Sequence, residues 1–495
     1  MLERADRTFT SFAAGDYVTF TRRFTAADFK AFEKLSGDSN PLHHDAAYAA
    51  DTRYKKPIVP IFLAASPLSA IAGTMLPGHR SLILSSSLRA LAPVPYDTDI
   101  SYSAKIVSTL DAGSTLALRA IAFQSDQVLI DADLLVQVRD DVDASRAPKH
   151  DSSVAIRRRD LKRALITGAG GSIGGAAARA LARAGWSLVL QQRGASPEAL
   201  VRDCKDFGVE VESVAADLEK TKDVDALCER LRAREDIGAV VHTASPPLDA
   251  PLQSLNAVNH AALRKISEAL IPSMLTAQDG HILFVGSSAV QHNTRGWDDY
   301  IAAKAAASHW TLALNDRYGR FGITGTVVAP GYVRTSYSDR HRPADADALL
   351  PEEVAERVLA CLLGEKGVGQ YVWLEPNALR FGAFGFRSAD GARGIATAQT
   401  GTGAGQAVKA ASAPVSGEAV VDDLVCAFFG AAPGTDLSEA GIDRYPGWDS
   451  LRHFELMLHL EQELAIRFSS TDLERTTDMR RLREVVAERQ AQARR

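Results

Sequence analysis

A glycine-rich turn constrains the fold of this 495-residue chain more than any other stretch. The apolar run Ala164-Leu165-Ile166 is followed by Thr167-Gly168-Ala169-Gly170-Gly171-Ser172-Ile173-Gly174, then by an Ala- and Arg-rich helical segment and a strand at Ser187 to Leu190. Glycines permit a tight turn and let the backbone approach a pyrophosphate at the helix N-terminus. The order strand, turn, helix, strand therefore predicts a dinucleotide-binding unit in a Rossmann-type, doubly wound parallel sheet. The residues expected to contact the cofactor are Gly168, Gly171, Ser172, Ile173 and Gly174.

The end of the second strand indicates which dinucleotide binds. It reads Gln191-Gln192-Arg193, with no acidic residue to accept hydrogen bonds from a ribose 2′-hydroxyl. Arg193 can instead pair with a 2′-phosphate, so the sequence favours NADP(H) over NAD.

A tyrosine and a lysine lie four residues apart where another helix begins. Tyr300 and Lys304 share one helix face, and an ammonium beside a phenol favours the phenolate. Ser287 ends a buried strand thirteen positions earlier, and Ala329-Pro330-Gly331 follows the helix. This pair equips Tyr300 to donate a proton to a carbonyl oxygen while the carbon receives hydride.

Together these motifs resemble the short-chain dehydrogenase/reductase family over about residues 163 to 385. The resemblance implies that Tyr300 is the acid and that Lys304 holds the nicotinamide ribose. It also implies that Ser287, with Ser288 as the alternative, binds the substrate oxygen. Asn259 would support a proton relay, and Asp217 would contact the adenine.

Two features depart from the compact branch of that family. Ser172 replaces a glycine, which gives the spacing Gly168, Gly171, Gly174 of the branch that modifies sugar nucleotides. His242-Thr243-Ala244-Ser245 also stands where Asn-Asn-Ala-Gly is common.

The first 139 residues predict one long apolar helix wrapped by antiparallel strands, which is the hot-dog arrangement. The expected helices are Ala26 to Leu35 and Pro60 to Met75. The expected strands are Asp16 to Phe24, Ser81 to Leu91, Ile100 to Thr109, Thr115 to Phe123 and Val128 to Val138.

Asp38 and His43 lie five residues apart across a proline turn in this first domain. Pro41 disfavours a continuous helix there, so both side chains can project from a loop toward one cavity. The alternative is a polar turn in which Asp38 caps and His43 packs. The stretch Gly37 to His43 resembles the Gly-Asp-x-Asn-Pro-Leu-His motif of the MaoC-like (R)-specific enoyl hydratase and dehydratase family. The resemblance implies that Asp38 and His43 are the catalytic pair.

One departure concerns the start of the central helix of this domain. The family commonly has His-Gly after Pro-Ile-Val, whereas this chain has Pro60-Ile61. We expect Pro60 at the first helical position and a free Ile61 amide as oxyanion donor, beside a side chain that can crowd an acyl group.

A serine at the mouth of a helix defines the C-terminal region. Asp449 is a plausible N-cap, and Leu451, Phe454 and Leu458 have helical spacing, so Ser450 lies at or beside a helix N-terminus that suits a phosphodiester. An ordinary capping serine before a core helix is the alternative. Gly447-Trp448-Asp449-Ser450-Leu451 resembles the Gly-x-Asp-Ser-Leu motif of acyl carrier proteins. The resemblance implies a 4′-phosphopantetheine arm on Ser450, attached by a phosphopantetheinyl transferase.

The domain organisation is thus multidomain α/β. We expect a hot-dog α+β domain at 1–145, the Rossmann-type domain at 160–387, a Gly-, Ala-, Ser- and Thr-rich flexible linker at 388–417 and a small helical-bundle carrier domain at 418–495. A tether before a carrier raises the effective concentration of a bound substrate at sites on the same chain.

Composition narrows the classes of partner. A net charge of −5 gives no reason to expect nucleic acid, and the absence of a long apolar run predicts no membrane span and a cytoplasmic protein. The four cysteines have no paired spacing, so neither disulfides nor a metal site are expected. A homo-oligomer is expected by resemblance alone.

These observations leave three hypotheses. The first is a multifunctional enzyme of fatty-acid or polyketide chemistry that reduces a 3-oxoacyl thioester, bound to coenzyme A or to the carrier, and dehydrates or hydrates it. In the second, the carrier and hot-dog domains mainly bind acyl groups and present them to a partner such as a ketosynthase or acyltransferase. The third is a reductase that acts on a sugar nucleotide, although such a substrate needs no pantetheine arm.

Overall fold

The computed structural model describes residues 7–111, 113–139, 155–158, 162–194, 196–291, 296–335, 341, 347–364, 367–376, 378–382, 417–429, 435–437, 440–442, 445, 448, 453, 456–457, 459–460, 463–464, 466, 468, 472 and 475–493. The chain divides into two compact units, one made of 1–159 with 402–495 and the other of 160–401. The predicted linker at 388–417 lies outside the described residues, apart from the first residue of a helix at its end.

The N-terminal part is an antiparallel sheet that wraps a central helix. Its strands are β1 (Asp16–Arg23), β2 (Ser81–Ala90), β3 (Asp99–Leu110), β4 (Thr115–Gln124), β5 (Gln127–Val138) and the short β6 (Arg157–Arg158). Its helices are α1 (Ala26–Ser36), α2 (Ala46–Ala50) and α3 (Ile61–Ala70). The strand order is β2-β5-β4-β3-β1-β6, which confirms the predicted hot-dog arrangement.

The central helix packs into the sheet through small and branched apolar side chains. Leu68, Ile71 and Ala72 are buried in one cluster with the inward-facing residues of β3, β4 and β5. The Tyr102 hydroxyl donates a 2.6 Å hydrogen bond to the Ala64 carbonyl and so joins β3 to the helix. The helix ends earlier than predicted, because a π-helical turn follows at Ile71–Met75. Pro60 is its N-cap and Ile61 its first residue, so placing Pro60 inside the helix was wrong by one position.

The middle part is an eight-stranded sheet covered by helices. Its strands are β7 (Arg163–Thr167), β8 (Ser187–Gln192), β9 (Val211–Ala215), β10 (Ala239–His242), β11 (Gly280–Val285), β12 (Ile323–Pro330), β13 (Tyr371–Glu375) and β14 (Ala378–Gly382). Its helices are α4 (Ser172–Arg183), α5 (Glu198–Lys205), α6 (Thr221–Arg232), α7 (Leu252–Asn256), α8 (Leu263–Ala277), α9 (Asp298–Tyr318) and α10 (Pro351–Leu362).

The strand order of this sheet is β14-β13-β12-β11-β10-β7-β8-β9. All neighbouring strands are parallel except the last pair, β13 and β14. The order reverses between β7 and β10, and ligands of such sheets bind outside the carboxyl ends of the strands at this point. The predicted Rossmann-type sheet is therefore confirmed, and its crevice lies where the glycine-rich turn begins.

The described C-terminal residues include two helices, α11 (Gly417–Phe429) and α12 (Met479–Ala493). Trp448, Leu456 and Leu460 are buried in one apolar cluster with side chains of both helices. Among the described residues of the whole chain, no helix combines the length and apolar character needed to cross a bilayer.

Candidate active sites

The turn after β7 is shaped so that only glycine fits at two positions. A Cβ at Gly168 would lie 2.7 Å from Ala244 Cα, and one at Gly174 would lie 2.3 Å from the Gly168 carbonyl oxygen. Gly171 is the N-cap of α4 and supplies no side-chain cap to the amides that follow. The N–H groups of the first turn, at Ser172, Ile173 and Gly174, therefore remain available at the positive end of the helix. This cradle fits a pyrophosphate.

Gln191, near the end of β8, holds the glycine turn by a hydrogen bond. Gln191 accepts a 3.0 Å hydrogen bond from the Gly168 N–H through Oε1 and donates through Nε2 to the Ala216 carbonyl at 2.7 Å. Arg193 follows on the exposed surface and lines the same cavity as the glycine turn. Asp217 also lines it, and its carboxylate lies 3.3 Å from Lys220 Nζ. The structure thus places Arg193 and Asp217 on the wall of the cavity that the glycine turn also lines, and their contacts with the 2′-phosphate and the adenine stay predictions.

A cavity of about 1170 Å³ joins this turn to the predicted catalytic residues. Tyr300, Lys304, Ser287 and the alternative Ser288 all line it. Tyr300 and Lys304 come from the first two turns of α9, and Ser287 follows β11. The fold therefore brings together three residues from two places in the chain, the start of α9 and the loop after β11, as a proton donor to a carbonyl requires.

The Lys304 side chain is buried beneath the cavity wall that it helps to form. Its ammonium donates a 2.9 Å hydrogen bond to the Val285 carbonyl and lies 5.8 Å from the centre of the Tyr300 ring. Burial lowers the Lys304 pKa to about 7, because the charged form loses hydration. Charged and neutral lysine therefore coexist near neutral pH, and any ligand oxygen that reaches Nζ favours the charged form.

Ser287 is fixed through both its side chain and its backbone. Its Oγ accepts a 3.3 Å hydrogen bond from the Ala289 N–H, and its carbonyl accepts one of 3.0 Å from the Tyr371 hydroxyl. Tyr371 lies on β13, far along the chain, and was not singled out from the sequence. Thr335, after Pro330-Gly331, also lines the cavity and was likewise missed.

The N-terminal part holds a second candidate site. Asp38 Oδ2 lies 3.9 Å from His43 Nε2, with side-chain exposures of 38% and 12%. His43 Nδ1 lies 2.8 Å from the Ile58 carbonyl, which can only accept, so Nδ1 carries the proton and Nε2 faces Asp38. The separation exceeds a direct hydrogen bond and is open to a bridging water or substrate hydroxyl.

Comparison with known proteins assigns each of these two sites to a domain type. A family model described as "short chain dehydrogenase" matches residues 162–346, and one described as "MaoC like domain" matches residues 10–116. The chain contains a short-chain dehydrogenase domain and a MaoC-like domain.

Individual relatives match the same regions. An uncharacterized oxidoreductase of Staphylococcus aureus is 29% identical over 219 residues, which cover 42% of this chain and 93% of that protein. The (R)-specific enoyl-CoA hydratase of Aeromonas caviae is 44% identical over 84 residues, which cover 17% of this chain and 63% of the hydratase. A solved short-chain dehydrogenase from Sphingobium yanoikuyae in complex with NADPH is 27% identical, with a TM-score of 0.40 over 44% of this chain and 88% of that chain.

In the dehydrogenase domain, Asn259 lies beside the cavity and not on its wall. It belongs to a π-helical turn at Ala257–Ala262, is fully buried and donates through Nδ2 to the Leu255 carbonyl at 3.0 Å. Its Oδ1 has no hydrogen-bond partner among the described residues, and its neighbour Val258 lines the cavity. The proton relay predicted for Asn259 therefore stays a prediction.

His242 stands at the first position of the segment that is commonly Asn-Asn-Ala-Gly, and its side chain has a structural role there. Its Nε2 lies 3.1 Å from the Val258 carbonyl, so it donates there, and Nδ1 accepts from the Thr167 hydroxyl at 2.9 Å. Burial, with the Lys304 charge as a smaller cause, lowers the His242 pKa to about 3. The neutral imidazole thereby ties β7 and β10 to the π-helical turn that carries Asn259.

In the MaoC-like domain, Ile61 opens α3 and packs against the apolar cluster of Phe24, Phe29 and Val59. As the first helical residue, Ile61 has an N–H without an acceptor within the helix.

Tyr96 packs against the same apolar cluster as Ile61, and its hydroxyl is buried with no hydrogen-bond partner among the described residues. Burial and then the charges of Asp28 and Asp38 raise the Tyr96 pKa to about 12, so the phenol keeps its proton and can donate a hydrogen bond. No sequence motif marks Tyr96, because the bridge between Ile58 and Pro95 brings it to this site.

Ser450, together with Gly447, Asp449 and Leu451, lies outside the described residues. Nearby, the Trp448 indole N–H donates to His453 Nδ1 at 3.2 Å, and His453 Nε2 lies 3.1 Å from the Thr476 hydroxyl. All three side chains are buried. The motif tryptophan is therefore part of the core of this region.

Proposed function

We propose that this chain is a multifunctional acyl-thioester enzyme. Its dehydrogenase domain reduces 3-oxoacyl thioesters to 3-hydroxyacyl thioesters with NADPH, and its MaoC-like domain interconverts the 3-hydroxyacyl and 2-enoyl thioesters. The observation that carries the proposal is that one chain holds both sites, each with its reacting residues assembled: Tyr300, Lys304 and Ser287 around one cavity, and Asp38 facing His43. The product of the first site is the substrate of the second.

The choice of NADP(H) is supported by Arg193. It lines the cavity at the end of β8, where the two preceding residues are glutamines and carry no charge. A guanidinium there can pair with a 2′-phosphate, whereas Gln191, Gln192 and Arg193 carry no carboxylate that could hold a 2′-hydroxyl. When bound, the nicotinamide supplies the hydride.

Within the dehydrogenase domain, Ser287 orients the C3 carbonyl oxygen by donating a hydrogen bond. Tyr300 donates its phenolic proton to this oxygen as hydride reaches C3. Lys304, held by the Val285 carbonyl, stabilises the resulting phenolate by its charge. The phenol then regains a proton from solvent.

Within the MaoC-like domain, Asp38 and His43 hold the added water. In hydration, one of the two removes a proton from the water as its oxygen bonds to C3. That proton is then delivered to C2, so that the pair returns to its starting state. Ile61 N–H, at the start of α3, is the proposed donor to the thioester oxygen, on which charge develops. Dehydration is the same sequence reversed.

For the C-terminal region, we propose an acyl carrier whose 4′-phosphopantetheine arm is attached to Ser450. The support is the motif Gly447 to Leu451 and the two helices that pack around the motif tryptophan. A phosphopantetheinyl transferase would install the arm, and a ketosynthase or acyltransferase would deliver or remove the acyl group.

We also propose that the chain forms a homo-oligomer. Strand β2 is an edge of the six-stranded sheet, and Leu82, Ile83 and Leu84 on it are 46%, 39% and 48% exposed. An apolar edge strand with unpaired backbone groups favours pairing with another chain.

Reduction is tested with a 3-oxobutanoyl thioester of coenzyme A. Wild type should consume NADPH in preference to NADH, and Arg193→Ala should narrow that preference. Tyr300→Phe should lower kcat by about 10²–10⁴-fold while NADPH still binds, because only the proton donor is lost. Equal use of both cofactors by wild type would contradict the Arg193 argument, and an active Tyr300→Phe variant would contradict the mechanism.

An acyl-binding role without catalysis is the second candidate for the MaoC-like domain. The observation that favours it is the branched Ile61 side chain at the start of α3, where it can crowd a thioester. This candidate predicts a wild type that binds enoyl thioesters and leaves them unreacted.

A further inference from the structure

The strand pair β13–β14 contributes one wall of the dehydrogenase cavity. Trp373 and Glu375 of β13 and Ala378 and Arg380 of β14 line it together, and Trp373 is the register partner of Arg380. Because alternate residues of a strand share a face, Trp373 lies on the same face of β13 as Tyr371. The opposite face, with Val372 and Leu374, packs into the core.

Trp373 lies close to the proposed substrate-binding serine. Its ring centre is 4.7 Å from that of Tyr371, whose hydroxyl donates to the Ser287 carbonyl at 3.0 Å. Two successive contacts therefore connect the indole to the residue proposed to hold the C3 oxygen.

The indole N–H of Trp373 is a buried donor on β13. Its Nε1 is buried and has no hydrogen-bond partner among the described residues. Buried indole N–H groups usually have a partner, and leaving one unpaired is unfavourable. Trp373 lines the cavity, so a rotation of the indole toward a bound ligand would give this donor an oxygen partner.

We propose that Trp373 is a specificity-determining residue whose Nε1–H donates a hydrogen bond to the second carbonyl of the substrate. This inference rests on the proposed function: a 3-oxoacyl thioester has a reacting C3 carbonyl and a thioester carbonyl two carbons away. Tyr300 and Ser287 serve the first carbonyl, and Trp373 serves the second. The cavity then selects 1,3-dicarbonyl compounds over simple ketones.

The same domain offers a matched control. Trp186 Nε1 is also buried and lacks a hydrogen-bond partner among the described residues. Trp186 belongs to the apolar core around α4 and β8 and is not among the described residues that line the cavity. Replacing either tryptophan by phenylalanine removes one buried donor, but only Trp373→Phe removes one from the cavity.

The test compares 3-oxobutanoyl-CoA with 2-pentanone, using NADPH and the full-length chain. For Trp373→Phe, kcat/KM for the thioester divided by that for the ketone should fall roughly tenfold, the effect of losing one hydrogen bond. For Trp186→Phe this ratio should equal that of wild type. An unchanged ratio in Trp373→Phe, or equal falls in both variants, would overturn the proposal.

A binding measurement separates this inference from the proposed reduction. The non-reacting product 3-hydroxybutanoyl-CoA is titrated into each variant in the presence of NADP⁺. Trp373→Phe should raise its Kd about tenfold and Trp186→Phe should not. If wild type reduces no thioester, the proposed function fails. The titration then still tests the role of Trp373, because a Kd for 3-hydroxybutanoyl-CoA that is unchanged in Trp373→Phe overturns that role.

Discussion

At Gly174, the neighbouring atoms leave no room for a side chain. A Cβ at this position would lie 2.3 Å from the Gly168 carbonyl oxygen and 2.7 Å from Thr243 Oγ1. At Gly175, the next residue of α4, the nearest atom to an added Cβ is 3.5 Å away, which is ordinary contact. The first helical turn thus contains one glycine that is obligatory and one that is replaceable.

We therefore predict opposite effects for two adjacent alanine substitutions. Gly174→Ala should lower the free energy of unfolding by about 1–3 kcal/mol, because backbone must move, and should weaken NADP⁺ binding. Gly175→Ala should leave binding intact and raise stability by up to about 1 kcal/mol, because alanine favours a helix. Urea unfolding and NADP⁺ titration measure both effects, and equal losses in the two variants would contradict the predicted geometry.

A second prediction at this scale concerns His242 and acid stability. Its pKa falls from the ordinary 6.5 to about 3 on folding, so between these values the unfolded chain binds the additional proton. His242 therefore supports the fold fully above about pH 6.5, and this support is lost as the pH falls toward 3. His281 adds a slope of the same sign, because burial lowers its pKa to about 4.

His242→Asn should make stability less dependent on pH, because the amide does not titrate. The difference in unfolding free energy between variant and wild type should change by at least about 1 kcal/mol in favour of the variant between pH 7 and pH 5. Urea titrations of the full chain at both values measure it. His79→Asn, which replaces an exposed histidine in the same way, is the control variant. Parallel curves for His242→Asn and wild type would mean that His242 is charged in the folded protein.

At the scale of elements, the loop between α1 and α2 sets up the MaoC-like site. Gly37, at a φ of 77°, ends α1, and Asn40 caps the short helical turn that carries His43. The imidazole is then locked by the Ile58 carbonyl, while Asp38 remains more exposed. The neighbouring His44 lies outside this arrangement, with Nε2 3.3 Å from the Ser39 carbonyl.

This arrangement predicts that two adjacent histidines differ in importance. Asp38→Asn and His43→Ala should each reduce hydration of a 2-butenoyl thioester by about 10²-fold or more, because proton transfer is lost. The His44→Ala variant should retain this hydration activity. Tyr300→Phe, which changes the dehydrogenase domain, should also leave hydration unchanged. Loss of absorbance of the enoyl thioester is the measurement.

The outcome for Ile61 separates catalysis from acyl binding. An inert wild type that becomes active as Ile61→Gly would show that the side chain at the start of α3 blocks a competent site. If both proteins are inert with thioesters of several lengths, the acyl-binding role replaces the hydratase.

At the scale of the whole molecule, the proposed carrier would make the reactions intramolecular. A substrate attached to Ser450 reaches a site on the same chain at an effective concentration set by the linker. Incubation with a phosphopantetheinyl transferase and coenzyme A should add one arm to wild type and none to Ser450→Ala, as read by intact mass. Ser438→Ala, in the same region, should still be modified. A modified Ser450→Ala variant would contradict the carrier assignment.

Local spacing in the sequence was sufficient to predict which residues lie together in the two candidate sites, whose roles stay predictions. Tyr300 and Lys304 share a helix face by their i, i+4 spacing, and Asp38 and His43 share one short loop. The glycine turn likewise follows from its own residues and its flanking strand. In each case the decisive geometry lies within a few residues, so the sequence determined it.

Only the tertiary structure could reveal Tyr96, Tyr371, Trp373 and the role of His242. Tyr371 and His242 act through partners far along the chain: Tyr371 bonds to Ser287, and His242 connects Thr167 to Val258. Tyr96 and Trp373 reach their places through the pairing of extended segments. Strand order and the bridge from Ile58 to Pro95 bring these groups together. Pairing between distant strands depends on the packing of the whole domain, so no local pattern contains it. The sequence by itself therefore determined the type of reacting residues in each domain. The tertiary structure decided which further side chains surround those residues.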